Sequence, residues 1–248
     1  MCGISIIFFM DKNGWLMKTQ TSPFEMMRQR PFDRPHSFLE RISDKVGWNR
    51  FFLREGKRPH IRVDADMLVS PVHGAVAEIQ SLAASDRIRG KRRAGATEWY
   101  TFEEIIHESE GREEFEGGLC FNLYLAPWNL HYVLFPVDMT VTEISYHPAF
   151  CRPIWCMKSG EIKNERLNLR GRMANGVPII VVLVGSMLVS GVECVAEAGD
   201  SYSRGALLGG FKFGSTVLVL LPRDAVEPVV QVKQRILLGE PLGRFIEK

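Results

Sequence analysis

Val177-Pro-Ile-Ile-Val-Val-Leu-Val-Gly-Ser-Met-Leu-Val-Ser-Gly-Val192 is the one long apolar run in the chain, and its reading decides the fold. A helix that crosses a bilayer needs roughly 20 apolar residues. This run falls short of that and is interrupted at Gly185-Ser186 and Ser190-Gly191. Its β-branched block Ile179-Ile-Val-Val182 favours extended backbone. The stretch therefore reads as two buried strands rather than a transmembrane helix. Outward from it, most of the chain runs in short β-rich blocks broken by Gly, Pro and Asp, at 121–125, 137–146, 179–184, 187–195, 211–221 and 229–238. Helical signals lie in the N-terminal half. Ser37-Phe-Leu-Glu40 has the capping-box spacing and leads towards Val46. In Thr101-Phe-Glu-Glu-Ile-Ile-His-Glu108, Thr101 is a cap, and Glu103 and Glu104 suit the positive start of a helix. The pattern predicts a mainly β (α+β) fold, with an irregular segment over 1–35 and one domain over 36–248.

Composition bounds the function classes. With 46% hydrophobic and 24% charged residues in 248, the chain has the balance of a globular protein. A formal net charge of +2 calls for no nucleic-acid partner. Five cysteines, an odd number without a Cys-x-x-Cys pair, point to a reducing compartment and a cytoplasmic location. The apolar start Met-Cys-Gly-Ile-Ser-Ile-Ile-Phe-Phe-Met lacks a basic n-region and a small-residue cleavage site, so it makes a poor signal peptide, although Ile4 to Met10 could touch lipid. Any membrane contact is then peripheral. Arg87, Arg89, Lys91, Arg92 and Arg93 form the one strong basic cluster, read either as a solvated loop or as an attractor of anionic headgroups at about 1 kcal/mol per cation. His36, His60, His107 and His147 have no metal-ligand spacing and read as structural, and no metal is expected.

The chemistry-bearing stretch is Leu208-Gly-Gly-Phe-Lys-Phe-Gly-Ser-Thr-Val217. A serine after a glycine, on a strand the fold can strain, can attack its own preceding carbonyl and convert the Gly214–Ser215 amide into an ester. β-Elimination of that ester leaves dehydroalanine, which hydrolyses to a pyruvoyl group at the head of a new chain starting at 215. Gly214 tolerates the dihedrals an acyl shift demands, and Ser215 is a nucleophile that a neighbouring base must activate. As a bare tripeptide, Gly-Ser-Thr equally suits a turn or a strand edge.

Five further segments stand in order around it: Asn49-Arg-Phe-Phe-Leu-Arg54 with Arg58-Pro59, Val69-Ser-Pro-Val-His-Gly74, Leu125-Ala-Pro-Trp-Asn-Leu-His131 closing at Pro136, Val184-Gly-Ser-Met-Leu-Val-Ser-Gly-Val-Glu193, and Gly239-Glu-Pro-Leu-Gly243 near the end. Together these resemble the phosphatidylserine decarboxylase family, from about Phe38 to Phe245. The resemblance implies a mixed β-sheet or barrel core with a few N-terminal helices. It also implies a proenzyme cut into a β chain ending at Gly214 and an α chain starting at Ser215. The covalent pyruvoyl group from Ser215 would be the only cofactor, bonding to the substrate amine and taking up the electrons released as carbon dioxide leaves. A phospholipid substrate, phosphatidylethanolamine as product, peripheral membrane contact and a homodimer belong to the same expectation. His131, Tyr132 and Phe213 fall in the implied substrate site.

Two positions depart from the family pattern. His73 stands where the family has the aspartate of its Ser-Pro-x-Asp-Gly turn, and Leu134 where it has the second histidine of Leu-Ser-Pro-x-Asp-Tyr-His-x-x-His-x-Pro. In the family that pair activates the cleavage serine. Here His73 could serve as a substitute base for Ser215, or be a turn residue whose ring caps a backbone group. His131 or Tyr132 could cover part of the missing role, or His131 could be a satisfied, half-buried histidine. Two other readings stay open: a catalytically degenerate member that binds lipid or protein, and a decarboxylase of another amino-acid substrate.

Overall fold

The computed structural model describes residues 9–11, 14–16, 27, 32–33, 38–47, 67–82, 87–93, 96–107, 111–149, 163–185, 191–212 and 215–246. Residues 49–54, Arg58, Pro59, Ser37, His36, His60, Cys2, Cys151 and Cys156 lie outside this set.

In chain order the strands are β1 (Phe9–Asp11), β2 (Gly14–Leu16), β3 (Met67–Val69), β4 (Gly74–Ser81), β5 (Arg87–Arg93), β6 (Ala96–Thr101), β7 (Leu119–Leu125), β8 (Tyr132–Leu134) and β9 (Met139–His147). They continue as β10 (Arg166–Met173), β11 (Pro178–Gly185), β12 (Val192–Cys194), β13 (Ser201–Tyr202), β14 (Leu207–Phe211), β15 (Ser215–Leu221), β16 (Val226–Pro228), β17 (Arg235–Ile236) and β18 (Pro241–Phe245). Among the described residues, helices α1 (Phe38–Lys45) and α2 (Phe102–Ile106) lie in the N-terminal half. The fold is mainly β. Its principal sheet has eight strands in the order β13-β9-β10-β11-β15-β7-β4-β17, flanked by the three-stranded sheets β12-β14-β8 and β16-β18-β3. Every pairing among the described residues is antiparallel, and the large sheet is open rather than closed into a barrel.

The decisive apolar run forms β11, which lies between β10 and β15 and is buried on both faces. Ile179, Val181 and Leu183 join the main core with Val217, Val219 and Leu221. Ile180, Val182 and Val184 join a second core, on the other face, with Leu218, Leu220 and the α2 residues Phe102, Ile105 and Ile106. Period-2 geometry sends alternate side chains to opposite faces, so a strand covered on both sides is apolar at every position. No helix among the described residues is long and apolar enough to cross a membrane.

Helix α2 starts as its residues require. Thr101 accepts the Glu104 N–H at 3.1 Å, and the Glu104 carboxylate accepts the Thr101 N–H at 2.8 Å. Arg166, wholly buried, crosses from β10 to donate to the Ile105 carbonyl at 2.7 Å, tying the end of α2 to the sheet. Burial pulls its pKa down to about 10, still far above neutrality, so the guanidinium stays charged against these carbonyls. Thr101→Ala should cost about 1 kcal/mol, seen as a melting-temperature drop of roughly 2–4 °C in a thermal scan.

Several local expectations are revised. The block at 211–221 is two strands, β14 and β15, because Phe211 pairs towards β12 and β8 while Ser215 enters the large sheet. The block at 229–238 contributes only the two residues of β17, and strand structure instead appears at β16 and β18. The basic cluster is not a loop but β5 of a hairpin with β6. The segment expected to be irregular contains the short β1–β2 hairpin. Strand β10 escaped notice although Leu167, Leu169 and Met173 alternate with Arg166, Asn168 and Arg172, because four polar residues mask the period.

Candidate active site

Segments far apart in sequence meet at one end of the large sheet. Ser215 opens β15, between Gly185 at the end of β11 and Leu125 at the end of β7. Beyond Leu125, Tyr124 pairs with Ala75 at the start of β4. Gly74 sits so close that a Cβ there would collide with the Tyr124 carbonyl, so the turn before β4 must end in glycine. That turn is closed by Ser70, whose Oγ donates to the Val72 carbonyl at 2.7 Å. It is also anchored to the C-terminal turn, the Ser70 N–H donating to Glu240 O at 2.7 Å and the Gly239 N–H to Ser70 O at 2.9 Å. On its other side it holds the 125–136 segment, since the Leu134 N–H donates to Pro71 O at 2.9 Å. The Phe211 N–H in turn donates to His131 O at 2.9 Å. All the described motif segments thus converge on Ser215; Phe213 and Gly214 lie outside the described residues.

Ser215 is buried, and its Oγ makes no hydrogen bond among the described residues. Its parity with Val217, Val219 and Leu221 puts the side chain on the main-core face of the sheet. A buried hydroxyl without a partner costs about 1–3 kcal/mol, so its presence calls for a reason. A nucleophile facing a protein interior supplies one. Cys194 offers no competing nucleophile, because burial pushes its thiol up to about 12.

Two imidazoles flank this region in opposite states. The Nδ1 of His73 accepts the Leu130 N–H at 3.3 Å, which commits its lone pair and leaves the ring proton on Nε2. This contact is the turn-capping role, and it leaves the neutral ring without a second lone pair for a base. The Nδ1 of His131 lies 2.9 Å from Asn129 O; a carbonyl only accepts, so Nδ1 carries the proton and Nε2 is the basic nitrogen. Asn129 also closes the turn before His131, its Oδ1 accepting the Ala126 N–H at 2.8 Å. His131 is completely buried and shares the parity of Val133 and Phe135, which join the same core as Val217. Tyr132 and Leu134 have the other parity and pack with Met27, Val195, Leu207 and Leu238. A histidine at 134 would therefore enter an apolar cluster.

The stretch before Ser215 is held by charge. Lys212 Nζ lies 3.2 Å from Glu193 Oε1, with both side chains almost buried. The Lys212 N–H donates to Gly191 O at 2.9 Å, and Gly191 must lack a Cβ because one would press on the Lys212 side chain. Lys212→Met removes the cation beside a buried carboxylate and should destabilise by about 3–5 kcal/mol, measured by denaturant unfolding. Sequence reading missed Lys212, Glu193 and Glu165, since lone charges in apolar stretches carry no pattern of their own. The His107 and His147 rings meet in a tilted pair at 4.9 Å, and among the described residues no three His, Cys, Asp or Glu side chains gather as a metal would need.

Known proteins resemble this chain in sequence. The family model described as phosphatidylserine decarboxylase matches residues 48–244. The phosphatidylserine decarboxylase proenzyme of Bacillus thuringiensis (strain Al Hakam) is 31% identical over 200 residues, covering 77% of this chain and 72% of that protein. The proenzyme of the same name from Acinetobacter baumannii (strain ACICU) is 29% identical over 226 residues, covering 80% and 76%. The match spans every segment that meets at Ser215, from the turn at Ser70 to the strand at Pro241, and the chain belongs to the phosphatidylserine decarboxylase family.

Proposed function

We propose that this chain is a self-cleaving decarboxylase that converts phosphatidylserine to phosphatidylethanolamine, with the Gly214–Ser215 bond as its cleavage site. The buried Ser215 hydroxyl, without a hydrogen-bond partner among the described residues, carries this reading. His131 holds a proton on Nδ1 against Asn129 and presents Nε2 to take the serine proton. Leu134 can neither give nor accept a proton, so His131 also does the work assigned in the family pattern to the second histidine. His73 is a positioning residue: through Leu130 it fixes the chain that leads into His131. The buried hydroxyl at a strand start, without a partner among the described residues, fits the origin of a pyruvoyl group, which supplies an electron sink for decarboxylation once formed. His131, Tyr132 and Phe213 are the residues assigned to the substrate.

Trp128, at the tip of the turn between Leu125 and His131, is 71% exposed. An indole at that height suits the bilayer interface, where its ring is half in hydrocarbon and half in water. Trp128→Ala should weaken co-sedimentation with phosphatidylserine vesicles severalfold while leaving self-cleavage unchanged. The test of function is carbon dioxide release from phosphatidylserine vesicles by the purified, matured chain. Release from free serine or another headgroup instead would move the substrate assignment. A cleaved protein that releases none from any amine would support a lipid- or protein-binding descendant.

A further inference from the structure

Glu165 has no solvent exposure and no place in the chemistry above, yet its contacts reach both sides of the cleavage site. Its Oε1 accepts the Tyr146 hydroxyl at 2.7 Å, and its Oε2 accepts the Gly191 N–H at 2.7 Å. Its backbone carbonyl accepts the Gly185 N–H at 2.9 Å, while the adjacent Asn164 Nδ2 donates to Gly185 O at 2.9 Å. Gly185 is the strand partner of Ser215, and the Gly191 carbonyl accepts the Lys212 N–H at 2.9 Å. One residue thus grips the backbone that fixes Lys212 on one side of residues 213–214 and Ser215 on the other.

We propose that Glu165 is a positioning residue for self-cleavage, holding both ends of the Lys212–Ser215 stretch so that the Ser215 hydroxyl meets the preceding carbonyl. This inference rests on the reading of Ser215 as the cleavage nucleophile. Attack within the chain is an intramolecular reaction whose rate depends on alignment, and a displacement of about 1 Å can cost on the order of 100-fold. Two hydrogen bonds to a buried carboxylate supply rigidity at this point, with no proton transfer required of it. Tyr146 extends the support, its ring meeting Phe32 edge-on at 5.5 Å.

The experiment follows splitting of the freshly translated chain by intact mass, with and without hydroxylamine near neutral pH, where it cleaves an ester but spares amides, the Asn175–Gly176 bond included. Glu165→Gln should split within about threefold of the wild type, because its amide oxygen can accept from Gly191 and the Tyr146 hydroxyl can turn to accept from its NH2. Glu165→Ala should slow splitting by roughly tenfold or more, and hydroxylamine should not restore the rate, since ester formation itself is impaired. Wild-type splitting in Glu165→Ala overturns the inference. So does rescue by hydroxylamine, which would place the defect after the ester, or a Glu165→Gln variant as slow as Glu165→Ala, which would mean that the charge itself is needed. If Glu165→Ala does not fold, Tyr146→Phe carries the test: a severalfold slower rate supports the inference and an unchanged rate overturns it. A wild-type chain that never splits removes the reading of Ser215, and this inference with it, whereas a splitting wild type with unaffected variants removes this inference alone.

Discussion

Freshly translated wild-type chain should resolve into two polypeptides, the smaller beginning with a blocked, pyruvoyl-bearing residue at 215, while Ser215→Ala should remain one chain of 28.2 kDa. This is the largest effect expected, because alanine has no atom that can attack the Gly214 carbonyl. The variant should nevertheless fold well. The Ser215 hydroxyl is buried without a partner among the described residues, and replacing it with a methyl hydrogen removes a desolvation cost of about 1–3 kcal/mol. Ser215→Ala should therefore melt no lower than an uncut wild-type precursor, in a thermal scan run before splitting. Loss of splitting with retained stability separates chemistry from misfolding. A Ser215→Ala chain that still divides at this position would mean that a foreign protease makes the cut.

The second large effect distinguishes the two imidazoles. His131→Asn keeps a donor for the Asn129 carbonyl, because the amide nitrogen can take the place of Nδ1, but it has no counterpart to the basic Nε2. His73→Asn keeps an acceptor for the Leu130 N–H, because the amide oxygen can take the place of that Nδ1. Each variant preserves the observed contact and deletes the rest of the ring. Loss of a general base costs about 10²–10⁴-fold, so His131→Asn should nearly abolish splitting, while His73→Asn should alter it only a few-fold. Time courses by intact mass measure both. The reverse ranking would make His73 the base despite its engaged nitrogen, and equal, small effects would leave Ser215 to be activated by another group.

Restoring the family pattern is not a neutral change in this chain. Leu134 is buried among Met27, Tyr132, Val195, Leu207 and Leu238. An imidazole there without a partner would carry a buried polar penalty of about 1–3 kcal/mol. Asp at 73 could provide that partner, because the turn containing residue 73 touches the Leu134 strand through Pro71. The two departures sit on contacting segments, so Leu134→His should be tolerated better together with His73→Asp than alone.

The strands legible in the sequence were those whose side chains obey one local rule. Residues 178–185 are apolar throughout because both faces of that strand are covered, and β-branching marks it as extended. Thr101 with Glu103 and Glu104 announces a helix start within a few residues, and the helix is there. Strand β10 is not marked in the sequence because Arg166 and Asn168 are polar yet buried, each donating to carbonyls of α2 that are some sixty residues away in sequence. The break between β14 and β15 was equally hidden, since the sequence over 211–221 reads as one β-rich block while Phe211 and Ser215 join different sheets.

By itself the sequence determined the β-rich class, the Thr101 cap, the Gly-Ser pair and the ordered motifs, because these depend on neighbours within a few residues. Only the tertiary structure decided which ring nitrogen of His73 is engaged, that Leu134 faces an apolar cluster, and that Glu165 grips the backbone on both sides of residues 213–214. A proton's place on an imidazole is set by whichever group lies across from it, and for His73 that group, the Leu130 amide, is 57 residues away along the chain.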